Sequence, residues 1–309
     1  MPIKNLKVER LETKKEETDL QKLVSDVISE VRNNGDKAVK KYTKQFDKVD
    51  LKSLVMERDQ IEDLINKVPD DVKELIDTNI SRIRKFAEFQ LSMYKDMELR
   101  VDNGGTVLGQ RVIPIESVGV YVPAGRFPLL SSALMGTVPA KVAGVKRIIA
   151  ATPPGEGKPD PAVIYGIAKS GATQILNIGG IQAIAAMAYG TESVEKVDKV
   201  IGPGNKFVNH AKKTAFGSVG IDLLAGPSEV LIIADESADP VKVMYDLLAQ
   251  AEHDVAARSS LITTSRKLAE EVIERMDQFI DSLATKEILK TSWEEKGSIY
   301  LCDTMDEAI

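Results

Sequence analysis

Cysteine, histidine and tryptophan are nearly absent: one Cys, two His and one Trp stand in 309 residues. A lone thiol forms no internal disulfide, so a reducing, cytoplasmic compartment is the expected one. Two histidines cannot build a histidine-rich zinc site. An excess of positive charge is missing as well. With 41 Lys+Arg against 47 Asp+Glu the formal charge is −6, which offers no basic field to a phosphate backbone and argues against nucleic acid as a partner. Long apolar runs are also lacking. The longest uncharged run, Ser170–Thr191, holds Gln174, Asn177, Gln182 and four glycines, too polar a content for a spanning helix. Met1–Leu20 is crowded with Lys and Glu and has no apolar core of the signal-peptide kind. No membrane partner is expected.

What is present is unevenly spread. Residues 1–100 carry 42 charged side chains and one Gly, whereas residues 101–200 carry 16 charged side chains, and 19 of the 21 glycines lie between Gly104 and Gly226. Solvated helices should therefore give way to close-packed, turn-rich α/β structure. Asp19–Asn34 places Leu20, Leu23, Val24, Val27, Ile28 and Val31 on one helical stripe that stops at Gly35, and Asp70–Met93 repeats the spacing with Val72, Leu75, Ile76, Ile80, Ile83 and Phe86.

From Val118 the period changes. Val118–Val122, Arg147–Ala151, Thr173–Ile178, Lys199–Ile201, Val230–Ala234, Ser260–Thr263 and Ser298–Leu301 read as strands alternating with helical segments. Continuous apolar strands in that alternation predict an α/β fold of doubly wound, Rossmann-like parallel sheets covered on both faces. Ser170–Thr191 reads as a buried strand turning at Gly179–Gly180 into a buried helix, and Thr152–Pro161 as a surface loop.

In such sheets ligands bind beyond the carboxyl ends of the strands. Three turns there combine glycine with one polar or aromatic side chain: Tyr121–Gly125, Gly179–Gln182 and Gly202–Asn205. None is a G-x-G-x-x-G or P-loop fingerprint, and each alone could serve only a tight connection. Three at consecutive strand ends point to a nucleotide-sized ligand. In Asp239–His253, Asp239 is the predicted N-cap and Pro240 the first helical residue. Gln250 and His253 follow three apart on one face, a spacing suited to Zn²⁺ or, more plainly, to a histidine capping its own helix. His210 sits in a Lys-rich helix where solvation is expected. Ser228, in the turn Ala225–Val230, reads as a substrate hydrogen-bond donor rather than a nucleophile. Cys302 reads as a small core residue.

Val118–Gly125, Ser131–Val145, Gly179–Val194, Lys196–Val208, Ile221–Asp235 and Asp246–Asp254 resemble, in order and spacing, the motifs of histidinol dehydrogenase, and the similarity runs from about residue 15 onward. The resemblance implies zinc-dependent oxidation of L-histidinol through the aldehyde to L-histidine with two NAD⁺, the end of histidine biosynthesis. It implies that Tyr121, Gln182 and Asn205 contact NAD and that Ser228, Gln250 and His253 contact substrate, Gln250 and His253 being also zinc ligands. It further implies two incomplete doubly wound domains, one inserted in the other: residues 16–119 with 229–309, and 120–228. Residues 1–15 would be an arm of an intertwined homodimer. In the family, a segment like Ser298–Ile309 leads on to a Pro-Glu-His motif whose Glu and His are the acid/base pair, then to an Asp and a His that complete the zinc sphere. The expectation is a C-terminally truncated histidinol dehydrogenase, its acid/base residues lying beyond Ile309, so that this chain alone binds NAD weakly and turns over poorly. The alternative is a non-catalytic nucleotide-binding or scaffold remnant. A cysteine-dependent aldehyde dehydrogenase is a further rival and requires an exposed Cys302.

Overall fold

A computed structural model describes residues 4–7, 14–124, 128–155, 158–224 and 228–309. The chain begins with strand β1 (Lys4–Lys7) and helix α1 (Lys14–Phe46), which is interrupted at Gly35, where φ 50 and ψ −134 are open only to glycine. The Glu192 carboxylate accepts from the Asp36 N–H at 2.6 Å and so recaps the second half of α1. The predicted stop at Gly35 is thus a break rather than an end. Helices α2 (Arg58–Ile65) and α3 (Asp70–Ser92) follow, the latter close to its predicted bounds. Next comes an antiparallel hairpin, β2 (Met97–Arg100) with β3 (Val107–Gln110), which the sequence pattern did not signal. Every residue of both its strands is exposed.

The alternation then runs as predicted through β4 (Ser117–Tyr121), α4 (Leu130–Val142), β5 (Arg147–Ala151), α5 (Pro161–Ser170), β6 (Gln174–Leu176), α6 (Gly180–Tyr189), β7 (Lys199–Ile201) and α7 (Lys206–Ala215), and a short strand that the sequence did not signal, β8 (Gly220–Ile221), follows. These strands form a parallel sheet in the order β6-β5-β4-β7-β8. All of β4 is buried, and so is α6 from Ile181 to Ala188. That burial explains the uncharged run Ser170–Thr191, which is interior rather than membranous. No helix among the described residues is long and apolar enough to cross a membrane. In the loop after β5, Thr152, Pro154 and Pro159 are buried and only Gly155 and Lys158 are exposed, so the expected surface loop is half interior; Glu156 and Gly157 lie outside the described residues.

The remainder is β9 (Glu229–Ala234), α8 (Pro240–Ala251), β10 (Arg258–Thr263), α9 (Arg266–Ile280), α10 (Lys286–Lys296), β11 (Ser298–Leu301) and the single turn α11 (Met305–Ala308), capped by Thr304. Its sheet has the order β1-β11-β10-β9, parallel except for β1, which pairs antiparallel with β11. The predicted arm therefore contributes an edge strand within its own chain. On β9, Val230 and Ile232 pack on the core, whereas Leu231 is 57% and Ile233 41% exposed. The expectation of cover on both faces fails at this strand: successive side chains point to opposite faces, and the face of β9 that carries Leu231 and Ile233 is exposed.

Two compact units result, residues 1–16 with 225–309, and residues 17–224. The sequence reading joined 16–119 to 229–309, but 17–119 group with 120–224. The cause is apolar packing. Val24, Val27, Ile28 and Val31 of α1 share one core with Leu176, Ile178 and Ile184, and Ile76 and Ile80 of α3 share another with Leu134, Val138 and Tyr165. The other unit has its own core, built on Leu247, Leu261, Val272, Met276 and Trp293, the last only 4% exposed.

Candidate functional site

The five-stranded order places the first strand, β4, between β5 and β7, so the chain's crossovers diverge from the β4/β7 boundary. In open α/β sheets that is where ligands bind. The turns that follow those two strands meet there. Gly202 has φ 118, and a Cβ on it would collide with the Tyr121 carbonyl oxygen, so only glycine lets the two backbones come this close.

Around this point the structure gathers two of the three predicted NAD contacts. Tyr121 ends β4 almost fully buried, and its hydroxyl accepts from the Gly180 N–H at 3.1 Å. Burial pushes its pKa up to about 12, so the phenol stays neutral. Gln182, in the first turn of α6, is fully buried and donates through Nε2 to Asp47 Oδ2 at 3.1 Å. Burial raises the Asp47 carboxyl above the ordinary carboxylate range. Asp47 was not singled out from the sequence. It follows a charged helix end, and its partner lies 135 residues away, so no local signal marks it.

The third predicted contact, Asn205, lies at the other side of the boundary. It is exposed and caps α7, its Oδ1 accepting from the N–H groups of Phe207 and Val208, both at 3.1 Å. The cap uses the side-chain oxygen and leaves Nδ2 as its donor. Gly125, the last residue of the Tyr121 turn, lies outside the described residues.

Three buried polar atoms near these strand ends bond to no described residue: Thr152 Oγ1 after β5, Asn177 Oδ1 after β6, and Gln182 Oε1. Buried polar atoms almost always have partners, so such a cluster fits a place where hydroxyl or amide groups of a polar ligand would complete the bonding.

The second constellation lies in the other unit. Asp239 caps α8 as predicted, accepting from the Val241 N–H at 2.8 Å, with Pro240 first in the helix. The helix ends at Ala251, however, so His253 stands beyond it rather than on its face, tied back by its N–H to the Gln250 carbonyl at 3.3 Å. His253 is exposed. Gln250 is half-buried, and its Nε2 is buried with no described partner. Turning that amide about its last bond would put an oxygen in the same place, which suits one ligand of a zinc ion. Among the described residues no cluster of three or more His, Cys, Asp or Glu side chains could hold a metal. Gln250 and His253 fit as two members of such a site and do not close it.

Ser228 is exposed, and its carbonyl accepts from the Arg258 N–H at 3.2 Å; Ala225–Pro227 of its turn lie outside the described residues. His210 is half-buried in α7 rather than solvated. Cys302 is buried, and burial raises its thiol pKa, so it lacks the exposure and thiolate character that a cysteine-dependent aldehyde dehydrogenase needs.

Comparison with known proteins bears on this arrangement. A sequence model of the family described as histidinol dehydrogenase matches residues 10–309. The histidinol dehydrogenase of Halalkalibacterium halodurans is 44% identical over 294 residues, covering 94% of this chain and 69% of that protein. A histidinol dehydrogenase homolog of Shouchella clausii is 44% identical over 94% of this chain and 68% of its own. The crystal structure of histidinol dehydrogenase from Elizabethkingia anophelis superposes with a TM-score of 0.84 at 36% identity, covering 97% of this chain and 68% of that one.

Proposed function

This chain belongs to the histidinol dehydrogenase family, and we propose that it takes part in the oxidation of L-histidinol to L-histidine at the end of histidine biosynthesis. In that reaction L-histidinol, two NAD⁺ and one water give L-histidine, two NADH and three protons. The observation that carries the reading is the β4/β7 boundary, where a glycine-only contact brings the Tyr121 and Gly202 turns together.

In this reading Tyr121, Gln182 and Asn205 hold the cofactor. The neutral Tyr121 phenol can stack or donate a hydrogen bond, Gln182 Oε1 accepts one, and Asn205 Nδ2 donates one from the start of α7. Ser228, Gln250 and His253 bind the substrate. Gln250 and His253 would also hold Zn²⁺, which when bound supplies a fixed anchor for the nitrogen atoms of histidinol. Homodimerisation is part of the same proposal. Exposed apolar side chains such as Met93, Ile113 and Leu231 support it. A cytoplasmic location accords with the single buried cysteine.

The test is direct. Equilibrium dialysis should give saturable NAD⁺ binding that Gln182→Ala and Asn205→Ala weaken. Absence of saturable binding overturns the cofactor assignment. Zinc retained stoichiometrically through dialysis would contradict a site with only Gln250 and His253 as ligands.

A further inference from the structure

Lys212 is the largest fully buried side chain among the described residues, 1% exposed on a helix otherwise rich in solvated lysine. An ammonium group is withdrawn from water only where specific partners compensate it. Its partners here are two. Nζ donates to the Gly202 carbonyl oxygen at 2.9 Å and forms an ion pair with Asp222 just after β8. Asp222 Oδ2 in turn accepts from the Gly202 N–H at 2.8 Å. One cation and one anion thus close on both backbone polar groups of a single residue, immediately beyond the last residue of β7.

That residue is the one whose φ of 118 and missing Cβ let it abut the Tyr121 carbonyl. Two residues later Gly204 has no room for a Cβ against the Val208 side chain. The path from the clamped Gly202 to Asn205 and the first turn of α7 is therefore short and held at both ends.

We propose that Lys212 and Asp222 are positioning residues: they clamp Gly202 at the β4/β7 boundary and thereby fix where Asn205 and the start of α7 meet the cofactor. The proposal rests on the cofactor reading above. A structural role alone would be met by an apolar side chain of the same length, which packs without the cost of a buried charge. The charge is needed where a backbone N–H and C=O outside the sheet ladder must be held in one orientation.

Lys212→Met keeps the length and removes the charge. The expected result is a chain that remains folded by circular dichroism, with a dissociation constant for NAD⁺ about tenfold higher, the loss of roughly one hydrogen-bonded anchor. Amide exchange at Gly202, slow in the unsubstituted chain, should accelerate. Ile148→Val, which trims the buried core of the same unit, should lower the melting temperature and leave NAD⁺ affinity unchanged, which separates positioning from stability. Should Lys212→Met not fold, Asp222→Ala carries the same test, because Asp222 is partly exposed and holds the Gly202 N–H directly. NAD⁺ bound equally well by the folded variant and the unsubstituted chain overturns the clamp alone. No binding by the unsubstituted chain overturns the cofactor reading and, with it, the purpose assigned to the clamp.

Discussion

Ser117 and Asp198 lock together the starts of two central strands. Asp198 Oδ2 accepts from the Ser117 hydroxyl at 2.7 Å and from its N–H at 2.8 Å, and the Ser117 hydroxyl accepts from the Asp198 N–H at 3.0 Å. The Ser117 hydroxyl bond, foremost, holds the carboxyl below the ordinary range. Because the folded value lies below the unfolded one, about 3.9 for Asp, the contribution to stability is present above that pH and is lost as pH falls through the folded value. Carboxyl NMR titration should find Asp198 low, and Ser117→Ala should move it back toward the ordinary value. Cys302 gives a second check: its buried thiol should react with a disulfide reagent far more slowly in the folded chain than in denaturant, and equal rates would contradict its burial. At this scale the sequence was readable where a polar side chain stood alone in a glycine-rich turn, as Tyr121, Gln182 and Asn205 do. Asp47 was not readable, because only its distant partner distinguishes it. Lys212 carried an overlooked signal. Val208, Ala211, Lys212 and Ala215 form one buried stripe of α7, so the lysine stands in an apolar row.

Helix boundaries follow local rules closely enough to be tested one residue at a time. Asp239→Ala removes the side chain that caps α8 and should lower stability by about 1 kcal/mol in a denaturant titration. Gly35→Ala should cost more, about 1–3 kcal/mol, because a Cβ there meets both a backbone conformation that other residues avoid and the Glu192 carboxylate that recaps α1. An unchanged midpoint would mean that the break in α1 is not set by Gly35. Strands that carry a compact apolar run behind one polar residue, such as β5, β7 and β11, were legible to the residue. The hairpin β2–β3 was not, because its residues are all exposed and show no buried-face alternation. β1 was invisible for another reason: its pairing with β11 joins the two ends of the chain, and a four-residue charged segment carries no mark of it. At α8 the pattern ran on to His253, whereas the helix closed at Ala251, where only the cap geometry decides.

For the whole molecule, two compact units with separate cores predict two steps of unfolding. Leu261→Ala, in a fully buried position on β10, should lower one calorimetric transition by about 2–5 kcal/mol and leave the other in place. A single transition displaced as a whole would contradict the division. The sequence anticipated the α/β class and parallel sheets but not the two-residue edge strand β8, and it set the unit boundary elsewhere, since which sheet the faces of α1 and α3 cover depends on packing between distant segments. The core of residues 225–309 contains the chain's one tryptophan, Trp293, set against Gly297 where a Cβ would strike its ring. Indole emission therefore belongs to that half alone, and residues 17–224 are spectroscopically silent except through tyrosine. A melt followed by tryptophan fluorescence will register one unit and miss the other, whose aromatic signal comes from Tyr42, Tyr94, Tyr121, Tyr165 and Tyr189.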